Sequence, residues 1–276
     1  MTLSDRNTFF KTSIVFCAVI ILLTLAASFL IVSSYPEIEE NTRRPNDFFR
    51  IITGWILGNS YYAVHAALSL AALFSFIVMI IIHSFFERTP APEILYVAFF
   101  TISLSVETLR LFLPLYLIYN FPSFYLRIAA RVLLFARFFG IFSLFTAGLC
   151  AAGLTVQKYR NAIFIIIVAV LAITLSVPID VHTWDTGFNY ISGYPATFRM
   201  IEILVFITTV ASFLIAAKAR DSKEYVYVAV GVVFALIGRS ILLGTDNWIG
   251  VVFGITLLII GIWFLCNKVH KIHLWL

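Results

Sequence analysis

The chain has 276 residues, of which 62% are hydrophobic and 12% charged, and its formal net charge is +5. A soluble domain carries ~25% charged and ~45–50% apolar residues, and the mean hydropathy here is +1.01, so a soluble globular fold is excluded and the bilayer is the solvent for most of the surface. The basic balance does not argue for nucleic acid, because the positive charge is spread over short loops, where a cytoplasmic excess of Lys and Arg accounts for it.

These properties predict an all-α integral membrane protein, a single polytopic domain over 1–276 without a soluble module. Residues 1–12 carry Asp5, Arg6 and Lys11. The apolar run 13–32 follows and reads as a first transmembrane helix, since no small-residue cleavage site leads into a soluble mature domain. Residues 33–47 are polar. The apolar stretch 48–86 exceeds the ~20 residues of one crossing. It divides into an interfacial or re-entrant helix near 48–58 and a second crossing at 61–82. The third crossing is 93–119, with a kink expected at Pro114, which removes a backbone hydrogen bond.

The fourth crossing starts between 124 and 129 and runs to about 154, and the fifth is 162–177. A polar loop at 179–196 precedes the sixth (197–217), the seventh (225–243) and the eighth (249–266). The basic, amphipathic tail from 267 is expected to lie on the membrane surface. The bias of Lys and Arg between loops places both termini in the cytoplasm, in the cell membrane, or the inner membrane of a bacterium. A seven-helix alternative fuses the last two crossings across Asp246 and Asn247.

The informative residues are charges inside these runs. Glu107 and Arg110 lie in the third crossing, Arg131 and Arg137 in the fourth, Arg199 and Glu202 in the sixth, and Arg239 in the seventh. A charge at bilayer depth costs at least ~2.5–3.5 kcal/mol on insertion scales, so these groups must pair, face water or bind something. Glu107 and Arg110 share a face at i, i+3, as do Arg199 and Glu202. Antiparallel neighbours joined at 120–123 put Arg137 at a similar depth. The set holds five arginines against two glutamates, with Asp180, Asp185 and Asp246 in the outer loops as further partners. Arginine suits carboxylates and phosphates because its fork donates in pairs and stays charged.

Other residues carry weaker signals. His65 reads as a packing residue. Cys17, Cys150 and Cys266 sit in or at the end of apolar runs, without a CxxC spacing, and read as buried packing. Asp180, His182 and Asp185 on one loop are not a specific metal pattern, and neither a metal nor a cofactor is expected. The chain lacks a GxSxG, HExxH or Walker loop. Gly54 with Gly58, and Gly250 with Gly254, have spacings that allow close helix contact. The reading from sequence is a receptor-like or carrier protein that binds a small anion or an anionic lipid headgroup, with membrane lipids as its surroundings. An intramembrane lipid-modifying enzyme and a structural subunit of a membrane complex are the alternatives.

Overall fold

The computed structural model describes residues 3–34, 60–87, 89, 91–119, 121–153, 159–185 and 187–274. The helix expected near 48–58 lies outside the described residues. The order is α1 (Leu3–Ser34), α2 (Tyr61–Phe86), α3 (Pro92–Val106), a 3-10 segment (Glu107–Leu111), α4 (Phe112–Tyr119), α5 (Ser123–Ala151) and α6 (Tyr159–Ser176). It continues with a hairpin of β1 (Ile179–Trp184) and β2 (Tyr190–Ser192), then α7 (Pro195–Ala219), α8 (Glu224–Gly244) and α9 (Trp248–Leu274). Among the described residues seven spans are long and apolar enough to cross a membrane; the stretch from α3 through α4 makes one of them, and α6 adds a shorter apolar helix, Asn161–Ser176. The protein is a multi-pass helical membrane bundle.

Helix is the solution because hydrocarbon offers no partner for an open backbone group. The buried hydroxyls follow the same rule. Ser75 donates to the Ala71 carbonyl, Thr101 to Val97 and Thr209 to Val205, each one turn back in its own helix.

One end of the bundle is fixed by polar contacts. Arg6 of α1 donates to the carbonyls of Phe86 (2.6 Å) and Thr89 (2.7 Å), at the C-terminal end of α2. The Phe86 carbonyl is one that the helix end leaves without an intrahelical donor, and Thr89 lies in the loop just beyond it. His273 of α9 stands 3.6 Å from Glu93 at the start of α3. The N-terminal end of α1 and the C-terminal end of α9 therefore meet at one end of the bundle, as an even number of passes requires. At that same end Lys268 and Lys271 pair with Glu224 at 2.8 and 3.3 Å.

α8 and α9 are separate antiparallel helices, so the fusion of the last two crossings does not occur. Gly231 and Gly238 on α8 face α9, and Gly254 and Gly261 on α9 face α8. A Cβ on Gly238 would lie 2.9 Å from the Gly254 carbonyl oxygen, and one on Gly261 2.7 Å from that of Gly231. Only glycine permits backbones this close. Of the two glycine pairs singled out in the sequence, Gly54 with Gly58 lies outside the described residues; in the other, Gly254 serves this seam, while Gly250 packs on Thr245 in the preceding turn.

Three local expectations change. The third crossing changes its winding upstream of Pro114: Pro114 falls at the third position of α4, and the irregular winding is the 3-10 segment before it. The ring has no N–H for the Arg110 carbonyl and crowds it, so the preceding residues tighten, and the Phe112 amide bonds back to Leu109. The tail continues α9 to Leu274, because Val269 is buried while Lys268, Lys271 and His273 find partners at the bundle end. The polar loop at 179–196 contains an antiparallel hairpin, with Ile179 opposite Ser192 and Trp184 opposite Tyr190.

The hairpin is seated in the bundle. Asp185 Oδ1 accepts from the amides of Gly187 (2.9 Å) and Asn189 (2.8 Å), which closes its turn. Phe188, held at φ 58°, is buried with Ile31, Val64, Leu68, Leu111 and Leu126. Its ring meets that of His65 edge-on at 5.6 Å. Seating Phe188 carries its neighbours Asn189 and Tyr190 to the bundle's polar residues.

Candidate functional site: an arginine centre around Glu107

Glu107 opens the 3-10 segment, in which residues three apart eclipse one another. Arg110 is therefore stacked over it, donating from Nε to Glu107 Oε2 at 2.9 Å. Arg137 arrives from α5 in a two-point grip, Nε to Oε1 at 2.8 Å and Nη2 to Oε2 at 2.9 Å, the geometry that makes Arg–carboxylate pairs strong. Arg239 of α8 completes the set with Nη2 at 4.0 Å from Oε1. Glu107 is 1% exposed, and three guanidinium groups surround its single carboxylate.

Each arginine also reaches backbone or side-chain oxygen. Arg110 Nη1 donates to the Leu243 carbonyl at 2.7 Å, at the C-terminal end of α8. Arg239 makes a long contact, 3.5 Å, to the Arg137 carbonyl. Arg137 Nη2 donates to Asn189 Oδ1 at 2.6 Å, and Asn189 Nδ2 donates to both oxygens of Asp185 at 3.1 and 3.0 Å. The hairpin thus holds a second carboxylate one residue removed from the cluster.

The remaining sequence candidates stand apart. Arg131 is half-buried and donates to the Thr174 carbonyl at the end of α6. Arg199 lies exposed on α7, and no ion pair joins it to Glu202 among the described residues. Glu202 is half-buried and near enough to act electrostatically on Arg137 and Arg239. The structure therefore brings together Glu107, Arg110, Arg137 and Arg239, with Glu202 close by, and leaves Arg131 and Arg199 outside. Asn189 and the Leu243 carbonyl were not foreseen. A lone Asn in a polar loop carries no signal of its own, and a backbone oxygen carries none at all.

Two donors in this region lack acceptors. Among the described residues, Arg239 Nε and the Tyr190 hydroxyl are buried with no hydrogen-bond partner. Burial pushes the Tyr190 phenol up to about 12, so it keeps its proton at physiological pH and remains a donor. Tyr190, Arg137, Ala130, Leu133, Leu134 and Ile179 line a small cavity of about 30 Å³. A larger apolar groove of about 450 Å³ runs between α2 and α9, along Leu73, Ile77 and Ile81 on one side and Ile255, Ile259 and Trp263 on the other. It contains no charged side chain suited to an anion.

No protein-family model, no curated protein and no solved structure matches this chain.

Proposed function

We propose that the protein binds a small anion or an anionic lipid headgroup at the arginine centre, as a receptor-like or carrier protein of the membrane. The observation that carries this reading is the position of Arg137. It is 22% exposed where Glu107 and Arg110 are closed to 1% and 3%, and it lines a small cavity together with Tyr190 and apolar side chains. Three guanidinium groups against one carboxylate in direct contact favour an anion over any cation. Both Glu107 oxygens are engaged, which argues against a general-base role in an intramembrane enzyme, since such a base needs a lone pair open to substrate.

The test is thermal unfolding in mild detergent with inorganic phosphate, glycerol phosphate and halide salts, on wild type and Arg137→Gln. A ligand at 100 times its Kd adds about 2.7 kcal/mol to the folded state. The expected result is anion-dependent stabilisation of wild type that Arg137→Gln abolishes. A second reading, in which the cluster is only a clamp between α5, α8 and the third crossing, is favoured by the full set of bonds on Glu107. It predicts that no anion changes the unfolding temperature of either protein.

A further inference from the structure

The end of the bundle where the first and last helices meet holds a second buried carboxylate. Glu93 is the second residue of α3, and its side chain accepts from its own backbone amide, one of the donors that a helix N-terminus leaves free. Its Oε2 has no hydrogen-bond partner among the described residues. His273, in the last turn of α9, places Nε2 3.6 Å from that oxygen. The other ring nitrogen decides what can stand there. His273 Nδ1 lies 3.1 Å from the Val269 carbonyl oxygen; a carbonyl only accepts, so Nδ1 carries a hydrogen. A neutral imidazole has one N–H. With Nδ1 holding it, Nε2 turns a lone pair toward Oε2, and an ionised Glu93 meets it with another. The contact is attractive only when one more proton is present, as an imidazolium facing a carboxylate or as a carboxylic acid facing a neutral ring.

The other neighbours do not supply that charge at contact. Arg220, at the C-terminal end of α7, acts on Glu93 through space, but its Nη1 donates to the Tyr225 hydroxyl at 3.0 Å and its guanidinium lies 5.3 Å over that ring. Tyr225 of α8 and Cys150 of α5 are near enough to feel the Glu93 charge, and neither a phenol nor a thiol brings a positive one. We infer that Glu93 and His273 form a one-proton site, in which a single exchangeable proton latches the C-terminal end of α9 to the N-terminal end of α3. The proton has a route, because the Glu93 side chain is closed to 2% while that of His273 is 12% exposed, so exchange with solution passes through the imidazole. Lys268 and Lys271 hold α9 to Glu224 of α8 without an imidazole, so the proton governs the grip of α9 on α3. By linkage, the closed contact loses stability as pH rises over the range in which the pair gives up its proton. The latch thus reports the pH of the compartment at this end of the bundle, independently of anion binding at Glu107.

The experiment follows unfolding of the full chain in mild detergent from about pH 7 to about pH 9, above the ~6.5 of an ordinary imidazole. Over this range the closed pair keeps a proton that the unfolded chain releases. The folded-to-unfolded ratio of wild type should therefore fall by up to about tenfold per pH unit relative to Glu93→Gln. Glu93→Gln sets an amide N–H opposite Nε2 and keeps the tie without a proton, so it is the variant least able to disturb the fold. His273→Gln and the double variant should share its shallower slope. His83→Gln, which alters another imidazole at the same end of the bundle, in the last turn of α2, should keep the wild-type slope. A slope in Glu93→Gln equal to that of wild type overturns the inference. A wild-type slope that survives in His273→Gln also overturns it, because the proton then sits on Glu93 without its partner.

Discussion

Glu93 and Glu107 lie on one crossing, each about 1% exposed, and their surroundings are opposite. Glu107 has three guanidinium groups drawn from three segments and hydrogen bonds to both oxygens. Glu93 has His273 at 3.6 Å, an ion pair only when that ring is protonated, and its Oε2 has no hydrogen-bond partner. Arg220, the nearby cation, donates to the Tyr225 hydroxyl at 3.0 Å instead. Burial alone therefore does not make a polar centre. What distinguishes Glu107 is that several elements each contribute a donor, so that removing the one acceptor strands them all.

The contrast is broken most severely by Glu107→Gln. It leaves buried positive charge, for which a loss of about 3–5 kcal/mol is expected, seen as lower folded yield and a lower unfolding temperature. Adding Arg137→Gln should recover part of that loss; strictly additive effects of the two would mean that the pair does not act as a unit. Of similar size to one another are two further changes, the first being Gly238→Val, which forces α8 away from α9 beside Arg239. Overpacking costs about 1–3 kcal/mol, and cysteine cross-linking between α8 and α9 should report the widened seam. Asn189→Ala removes one charge-assisted bond to Arg137 and should cost about 1.5–3 kcal/mol, with faster proteolysis of the hairpin as an independent readout.

Glu93→Gln sharpens the comparison from the other side. With one oxygen already unpaired, its expected cost is within about 1 kcal/mol, and a loss matching that of Glu107→Gln would erase the distinction. The smallest effect belongs to Arg199→Gln, within about 0.5 kcal/mol, as for a surface substitution away from any network.

Much of this was open to reading from residues alone. Composition specified a helical membrane bundle, and the apolar runs placed its helices. The i, i+3 spacing found the Glu107–Arg110 pair, and depth along antiparallel neighbours brought Arg137 to it. The same spacing suggested Arg199 with Glu202 and misled, because depth is one coordinate and the angle around the bundle is another. Arg199 is at a suitable height on an outward face. The hairpin stayed hidden because Phe188 reads as one more aromatic among 28 phenylalanines, and only its seat against His65 and Leu68 shows why Asp185 and Asn189 reach the centre.

The 3-10 winding from Glu107 to Leu111 also sets a rotational phase. An α-helix advances about 100° per residue and a 3-10 helix about 120°, so five residues add roughly a quarter-turn of extra twist between α3 and α4. The two halves of this one crossing therefore present different azimuths: α3 is seated in the main core, while Leu113 of α4 packs into the smaller cluster beneath Phe188. Deleting one residue within 107–111 would leave α3 in place and swing α4 by about a third of a turn, taking Leu113 off its neighbours and Arg110 off Glu107 together. The packing of α4 and the alignment of the charges are thus geared to the same five residues.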